Sequence, residues 1–244
     1  MRITISDNRQ KLDFPIDVGV DYRIDSLGKD PDIHSPLLRL HHQALWSKPL
    51  DSRGFLNLEK NPKGYLMALP DQPVLSLSSD TITNSYRNTE RLQHLIVNVP
   101  AHELDEFQYL GSTIGGKILF PGKRIDGNLT INVARGWNRK IEDRFDLTLE
   151  CIRLQFDKKP NPLSKTFEVY WKFFELFRAF DEYVEFFLLQ DLICDKGIRF
   201  FLPFDDFSRP AFPMDLHEYV DYMNSTKQFV ISRNERIKTY LLGS

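Results

Sequence analysis

The clearest pattern lies between residues 140 and 156. Ile141, Phe145, Leu149, Ile152 and Phe156 recur at steps of 4, 4, 3 and 4. That spacing puts one apolar stripe on one side of a helix. Two more helices are predicted after it, over 164–177 with Phe167, Trp171, Phe174 and Phe177 on one face, and over 181–193 around Val184, Phe187 and Leu188. Ile198 to Phe204 reads as a buried, aromatic strand. Asp215 is placed to cap a last helix that reaches about Leu241.

The first half is more broken. A short strand is expected at the start, followed by loop to residue 34. Ser35-Pro36 has the form of a helix start, with Ser at the N-cap and Pro at the first helical position. The helix runs to Trp46 and Pro49 ends it. Residues 47–72 are punctuated by Pro49, Gly54, Pro62, Gly64 and Pro70, which predicts loop with short extended pieces. Val74–Ser78 alternates apolar and polar, as a half-buried strand does. Asp80 is read as the cap of a short helix through Tyr86. Leu95–Val99 is read as a strand, Ala101–Leu110 as a helix closed by Gly111, Lys117–Phe120 as a strand, and Leu129–Val133 as a strand after an Asp126-Gly127 turn. Strands and short helices come first, then a helical block with one returning strand. The expectation is α+β: a single domain over 1–244, with a mixed, mainly antiparallel sheet and a helix-rich C-terminal half.

Composition changes this picture little. The chain has 244 residues, 41% of them hydrophobic and 27% charged. Those values suit a protein that buries a core without disulfides or metal. Aromatic residues make up 13%, and most of the 19 Phe fall in the second half, so an aromatic core is expected there. The net charge of −2 argues against a dedicated basic nucleic-acid binder, though not against a local basic patch. The two cysteines, Cys151 and Cys194, show no metal spacing and are expected to be reduced thiols. Neither a signal peptide nor a membrane-spanning run is visible, so a cytoplasmic location is the default expectation.

Several segments are distinctive: LWSKPL (Leu45–Leu50), LSSDTI (Leu77–Ile82), TIGGKILFPGKRIDGNLTINVARG (Thr113–Gly136), DRFDLTLECIR (Asp143–Arg153), YVEFFLLQDLI (Tyr183–Ile193) and RFFLPFDDF (Arg199–Phe207). Together they resemble a bacterial family of conserved domains of unknown function. The resemblance covers about residues 35–236. It implies one whole domain and supplies no activity.

Candidate chemistry is concentrated in the glycine-rich basic stretch. Between Gly111 and Arg144 stand seven Lys or Arg and three Asp or Glu. Gly115, Gly116, Lys117, Lys123, Arg124, Arg135 and Arg144 are the candidate ligand-binding residues there. Glycine lets backbone N–H groups approach an anion, and Arg grips phosphate with two bonds. The expected partner is a nucleotide, nucleotide-sugar or nucleic-acid phosphate. The rival reading is two hairpins with solvated basic edges, since neither standard phosphate-loop spacing is present.

Asp146, Glu150 and Arg153 project from one side of the long helix. Glu150 and Asp146 are the candidate catalytic carboxylates, suited to acid–base work or to stabilising a sugar cation in transfer from a nucleotide-sugar, NAD among the candidates. The plainer reading is an ion pair of Glu150 with Arg153 or Arg144. Arg39 and His42 share a helix face and could form an anion clamp with Lys48. The six His are scattered, which gives no metal site. Ser78-Ser79-Asp80 lacks the surroundings of a nucleophilic serine. The function expected is binding of a phosphorylated ligand, with or without its transfer or hydrolysis. The alternative is a non-catalytic nucleic-acid or protein interaction module.

Overall fold

The computed structural model describes residues 16–50, 54–68, 74–195 and 197–242. Short helices α1 (Tyr22–Asp25) and α2 (Pro31–His34) each start on a capping aspartate, Asp21 and Asp30. In α3 (Pro36–Trp46) the Ser35 hydroxyl accepts from the Leu38 N–H at 3.0 Å, the cap the sequence predicts. The strand expected at the very start of the chain lies outside the described residues.

Five strands then form one antiparallel sheet in chain order: β1 (Lys48–Pro49), β2 (Phe55–Asn61), β3 (Gly64–Ala68), β4 (Leu75–Thr81) and β5 (Lys117–Pro121). Tyr65 lies opposite Leu77, and Asp80 opposite Ile118. The short extended pieces expected over this stretch are two full strands paired as a β2–β3 hairpin. Its turn is closed by Gly64, with φ of 141°, where a Cβ would lie 2.6 Å from the Leu77 carbonyl oxygen. Only glycine fits such a turn without strain. Because strands alternate faces, Tyr65, Leu77, Ser79 and Thr81 share one side of the sheet with Lys117. Ser78 and Asp80 point to the other. Helix α3 covers the first face, with the His42 and Tyr65 rings 5.2 Å apart.

The second half is helical: α4 (Gln93–Ile96), α5 (Ala101–Gly111), α6 (Ile131–Trp137), α7 (Phe145–Phe156), α8 (Ser164–Val169), α9 (Trp171–Phe174), α10 (Phe180–Phe186) and α11 (Leu216–Leu242). Four sequence expectations are corrected here. Leu95–Val99 belongs to a helical turn. Leu129–Val133 is the approach to α6, whose start is capped by Thr130. The helix expected over 164–177 breaks at Tyr170. Ile198–Phe204 contributes only β7 (Gly197–Ile198), which pairs with β6 (Ile193–Cys194) in a separate ribbon and never joins the main sheet. The α7 helix starts at Phe145, later than its apolar stripe, because Glu142 and Asp143 take left-handed φ values of 48° and 62°.

The last helix is 27 residues long, about 40 Å at the α-helical rise. Asp215 accepts from the Glu218 N–H at 2.8 Å, near its start. Its Tyr222, Phe229, Val230 and Ile237 enter one continuous core with the sheet and the aromatic helices. The Phe-rich block is core, as expected: Phe173, Phe177, Tyr183 and Phe187 meet edge-on or tilted at 4.8–6.4 Å, a geometry aromatic rings favour. No described helix is long and apolar enough to cross a membrane.

Candidate functional site

On the sheet face away from α3, three elements converge on one guanidinium. Strand β4 supplies Asp80. Helix α6 supplies Asn132 and Arg135, three residues apart and so on one side. The turn into α7 supplies Asp143, and α7 supplies Thr148. Arg135 is fully buried. Its Nη1 donates to Asp80 Oδ2 at 2.7 Å and stands 3.3 Å from Asp143 Oδ1. Its Nε donates to Thr148 Oγ1 at 3.1 Å and its Nη2 to the Asp143 carbonyl at 2.9 Å.

The two carboxylates are not closed off. Their side chains keep 24% and 32% of their exposure, for Asp80 and Asp143. Burial pushes the Asp143 carboxyl up to about 6, the Asp80 charge adds to the rise, and Arg135 opposes it. Two like charges sharing one cation cannot both be fully neutralised. The backbone at Glu142 and Asp143 is strained, since left-handed φ at a non-glycine residue costs about 1–3 kcal/mol. The strain is held by Arg91, paired with Glu142 at 2.6 Å, and by the Tyr86 hydroxyl on the Glu142 carbonyl at 3.1 Å. Asn132 makes two long contacts, to Ser78 Oγ at 3.5 Å and the Ser79 carbonyl at 3.4 Å. Its buried Oδ1 has no partner among the described residues. The arrangement offers a carboxyl titrating near neutrality, a second carboxylate and a free amide oxygen. The two carboxyls can donate a proton and accept one.

The other sequence candidates fall elsewhere. Gly115 and Gly116 are buried in a helix contact. The Gly115 N–H donates to Asn234 Oδ1 at 2.7 Å, and its carbonyl accepts from Arg233 at 2.9 Å. The Gly116 carbonyl accepts from the Ile82 N–H at 2.9 Å. Lys117 is buried on the opposite sheet face, its Nζ 2.9 Å from Thr81 Oγ1. Burial lowers its pKa, while Asp80 and Asp32 pull it back up. Lys123 and Arg124 alone of that group stand in solvent.

Asp146 is buried against Arg144, with Nε to Oδ1 at 3.1 Å, and also accepts from the Phe201 N–H at 2.8 Å. Arg144 further donates to the Ala211 carbonyl at 3.0 Å. Glu150 is gripped by Arg153 through two bonds of 2.8 and 2.7 Å. Arg153, not Arg144, is its partner.

Arg39 donates to the Asp32 carbonyl, and to the Asn61 carbonyl at 2.8 Å. His42 is buried, its Nδ1 accepting from Trp46 Nε1 at 2.9 Å. Burial, with Lys117, Arg233 and His41 adding to it, holds the His42 imidazole well below its ordinary value. Arg39 and His42 meet at the Tyr65 ring. Lys48 instead donates to the Phe186 carbonyl at 2.6 Å, among the rings of Trp46, Phe186 and Tyr240. The three do not form one clamp.

Of Asp80, Asn132, Asp143 and Thr148, only Asp80 is weighed in the sequence, and then as part of a serine site with Ser78 and Ser79. Reading Asp80 as a helix cap and 129–133 as strand hid the first two. The alternation Ser76, Ser78, Asp80 and a Thr130 cap were the available signals.

Fold and site together describe an α+β protein with a partly open, arginine-bridged carboxylate pair beside its antiparallel sheet. The chain belongs to a family of unknown function, DUF6994, whose model matches residues 16–237. No curated protein and no solved structure matches it.

Proposed function

We propose that this protein binds a small phosphorylated molecule of the nucleotide or nucleotide-sugar class and acts on it by acid–base transfer or hydrolysis at the Asp80–Asp143 pair. One observation carries this reading. Two carboxylates flank a fully buried arginine, and both keep a face toward solvent. Because solvent reaches both carboxylates, a ligand can reach them too. The pair keeps an open carboxyl titrating at about 6, near the value useful for proton transfer at neutral pH.

The basic loop supports a phosphate nearby. Gly122, whose N–H donates to the Ser76 carbonyl at 2.9 Å, leads directly into exposed Lys123 and Arg124. A Cβ on Gly122 would lie 2.6 Å from Ser78 Oγ. The loop therefore begins against the same strand face as Asp80, with Asn132 beside Ser78. The phosphate would sit on Lys123 and Arg124, and the reacting bond at the carboxylates. Asp143 is assigned the acid and Asp80 the base.

A thermal-shift panel of NAD, nucleoside mono- and triphosphates and nucleotide-sugars tests the binding. A ligand at a hundred times its dissociation constant adds about 2.7 kcal/mol, or roughly 5–10 °C for a chain of this size. With a bound ligand in hand, turnover should fall about 10²–10⁴-fold in Asp143→Asn and Asp80→Asn, with binding retained. A panel that gives no shift, or variants that turn over as wild type, would sink the reading.

A further inference from the structure

Tryptophan is usually largely buried, and of the three here Trp46 is. Trp137 and Trp171 are 75% and 48% exposed. Both stand at the ends of a helix pair. Asn138, just past α6, donates to the Pro162 carbonyl at 3.0 Å, just before α8. The Tyr170 hydroxyl, just past α8, donates to the Lys123 carbonyl at 3.0 Å, in the loop before α6. Helices α6 and α8 therefore run antiparallel. Trp137 and Arg139 mark one end of the pair. Trp171, Lys172, Lys123 and Arg124 mark the other. Lys172 Nζ lies 5.5 Å from the Trp171 ring centre. Among the described residues, no carboxylate forms an ion pair with Lys123, Arg124, Arg139 or Lys172.

One end thus offers an exposed indole, Trp137, with Arg139 near it in the chain; the other offers Trp171, one face of which meets Lys172, with Lys123 and Arg124 at the same end. Indole faces stack on unpaired bases of any sequence, and the cations meet the phosphates between them. The seven residues of α6 separate the two ends by about 10 Å. A strand of about three stacked nucleotides, at ~3.4 Å each, covers that length. A duplex hides its base faces and offers the indoles nothing to stack on. We infer that this helix pair binds single-stranded nucleic acid, with bases on Trp137 and Trp171 and phosphates on the four cations. The inference shares Lys123 and Arg124 with the phosphate seat proposed above, but it does not use the carboxylates, and the carboxylate chemistry needs neither tryptophan.

The test uses the full chain and fluorescein-labelled single strands of about 12 nucleotides, a common site size, as DNA and as RNA. The same sequence as duplex, and vesicles of phosphatidylserine, serve as competitors. Anisotropy reports binding. Quenching of intrinsic fluorescence reports stacking, because Trp46 is out of reach. Four phosphate contacts predict about 50-fold weaker binding at 200 than at 50 mM salt. Trp137→Ala and Trp171→Ala should each weaken binding about 5–100-fold, with melting temperatures within about 2 °C of wild type, as for exposed sites. Asp143→Asn should bind strands as wild type does, so loss of the proposed turnover and loss of strand binding are separable. The inference is overturned by absent quenching, by tryptophan variants that bind unchanged, or by binding seen only with duplex or vesicles.

Discussion

Arg135 and Arg233 are both fully buried, and they are buried in opposite ways. Arg135 sits between two carboxylates that reach solvent. Arg233, on α11, hydrogen-bonds only to backbone and lies over the Trp46 ring. It donates to the carbonyls of Lys117 at 2.6 Å, Gly115 at 2.9 Å and Phe187 at 2.9 and 3.2 Å. Burial lowers its pKa to about 9, although Tyr183 and Asp191 oppose the shift. The other guanidinium is held above the ordinary arginine value, where Asp143 and Asp80 outweigh the cost of burial. The difference separates a clamp from a candidate site. The Arg233 hydrogen bonds all go to backbone and tie α11 to β5 and to the end of α10. Around Arg135 both carboxylates still reach solvent, although Asp80 Oδ1 also accepts from the Thr81 N–H at 2.8 Å.

The largest expected effect lies on the clamp. Arg233→Met keeps the volume but strands three buried carbonyls. Leaving such groups without a partner costs about 1–3 kcal/mol each, and partial relaxation leaves an expected loss near 4 kcal/mol. Arg135→Met exposes two carboxylates to each other, but water reaches both, so about 2 kcal/mol is expected. Urea unfolding of the two variants orders them. If Arg135→Met proves the more damaging, the carboxylate pair is a structural strut and the contrast collapses.

A smaller effect is expected from the glycine that touches the clamp. A Cβ on Gly115 would lie 2.5 Å from Asn234 Oδ1 and 2.7 Å from the Val230 carbonyl. The backbone of α11 cannot give as a side chain can, so Gly115→Ala should cost about 1–3 kcal/mol through overpacking. Gly136→Ala is the control, with no atom within 4 Å of its added Cβ, and should be near neutral. A tolerant Gly115→Ala would mean that the glycine-rich stretch is free to serve a ligand after all.

That stretch also shows where reading a sequence succeeds and fails. Local rules worked where one residue acts on its own backbone: the Ser35 cap stands as read, the helix read over 140–156 is present from Phe145, and Asp126-Gly127 is a turn though not of a hairpin. They failed where distant segments decide. Gly115 and Gly116 look like a phosphate loop until α11, over a hundred residues later, lies across them. The strand reading of Leu129–Val133 lost to a Thr130 cap and to the burial of Ile131, Ala134 and Arg135 on one helical face. Ile198–Phe204 has a strand's composition but no sheet edge to join. Glu150 and Arg153, three residues apart, were legible as a pair. Asp80, Arg135 and Asp143 were not, because their meeting depends on how β4, α6 and α7 are assembled.

The finest test of the contrast is its dependence on pH. The Asp143 carboxyl is raised from 3.8 to about 6 in the folded chain. A group raised on folding favours the protonated fold. Its contribution is complete below pH 3.8 and is lost as pH rises through about 6. Asp143→Asn removes the titration and keeps the shape. The melting temperature of wild type, relative to this variant, should therefore fall between pH 4 and 7. Solvent reaches the carboxyl, so screening limits the change to about 1 kcal/mol, or ~2–4 °C for a chain of this size. Arg233 gives the opposite profile. Its pKa is depressed to about 9, so its titration begins only above neutrality and its contribution stays flat from pH 4 to 7. A wild-type minus Asp143→Asn difference that is also flat there would place the Asp143 titration well below 6. The open carboxylate would then be an ordinary ionised partner of Arg135, and the chemical distinction between the two arginines would be lost.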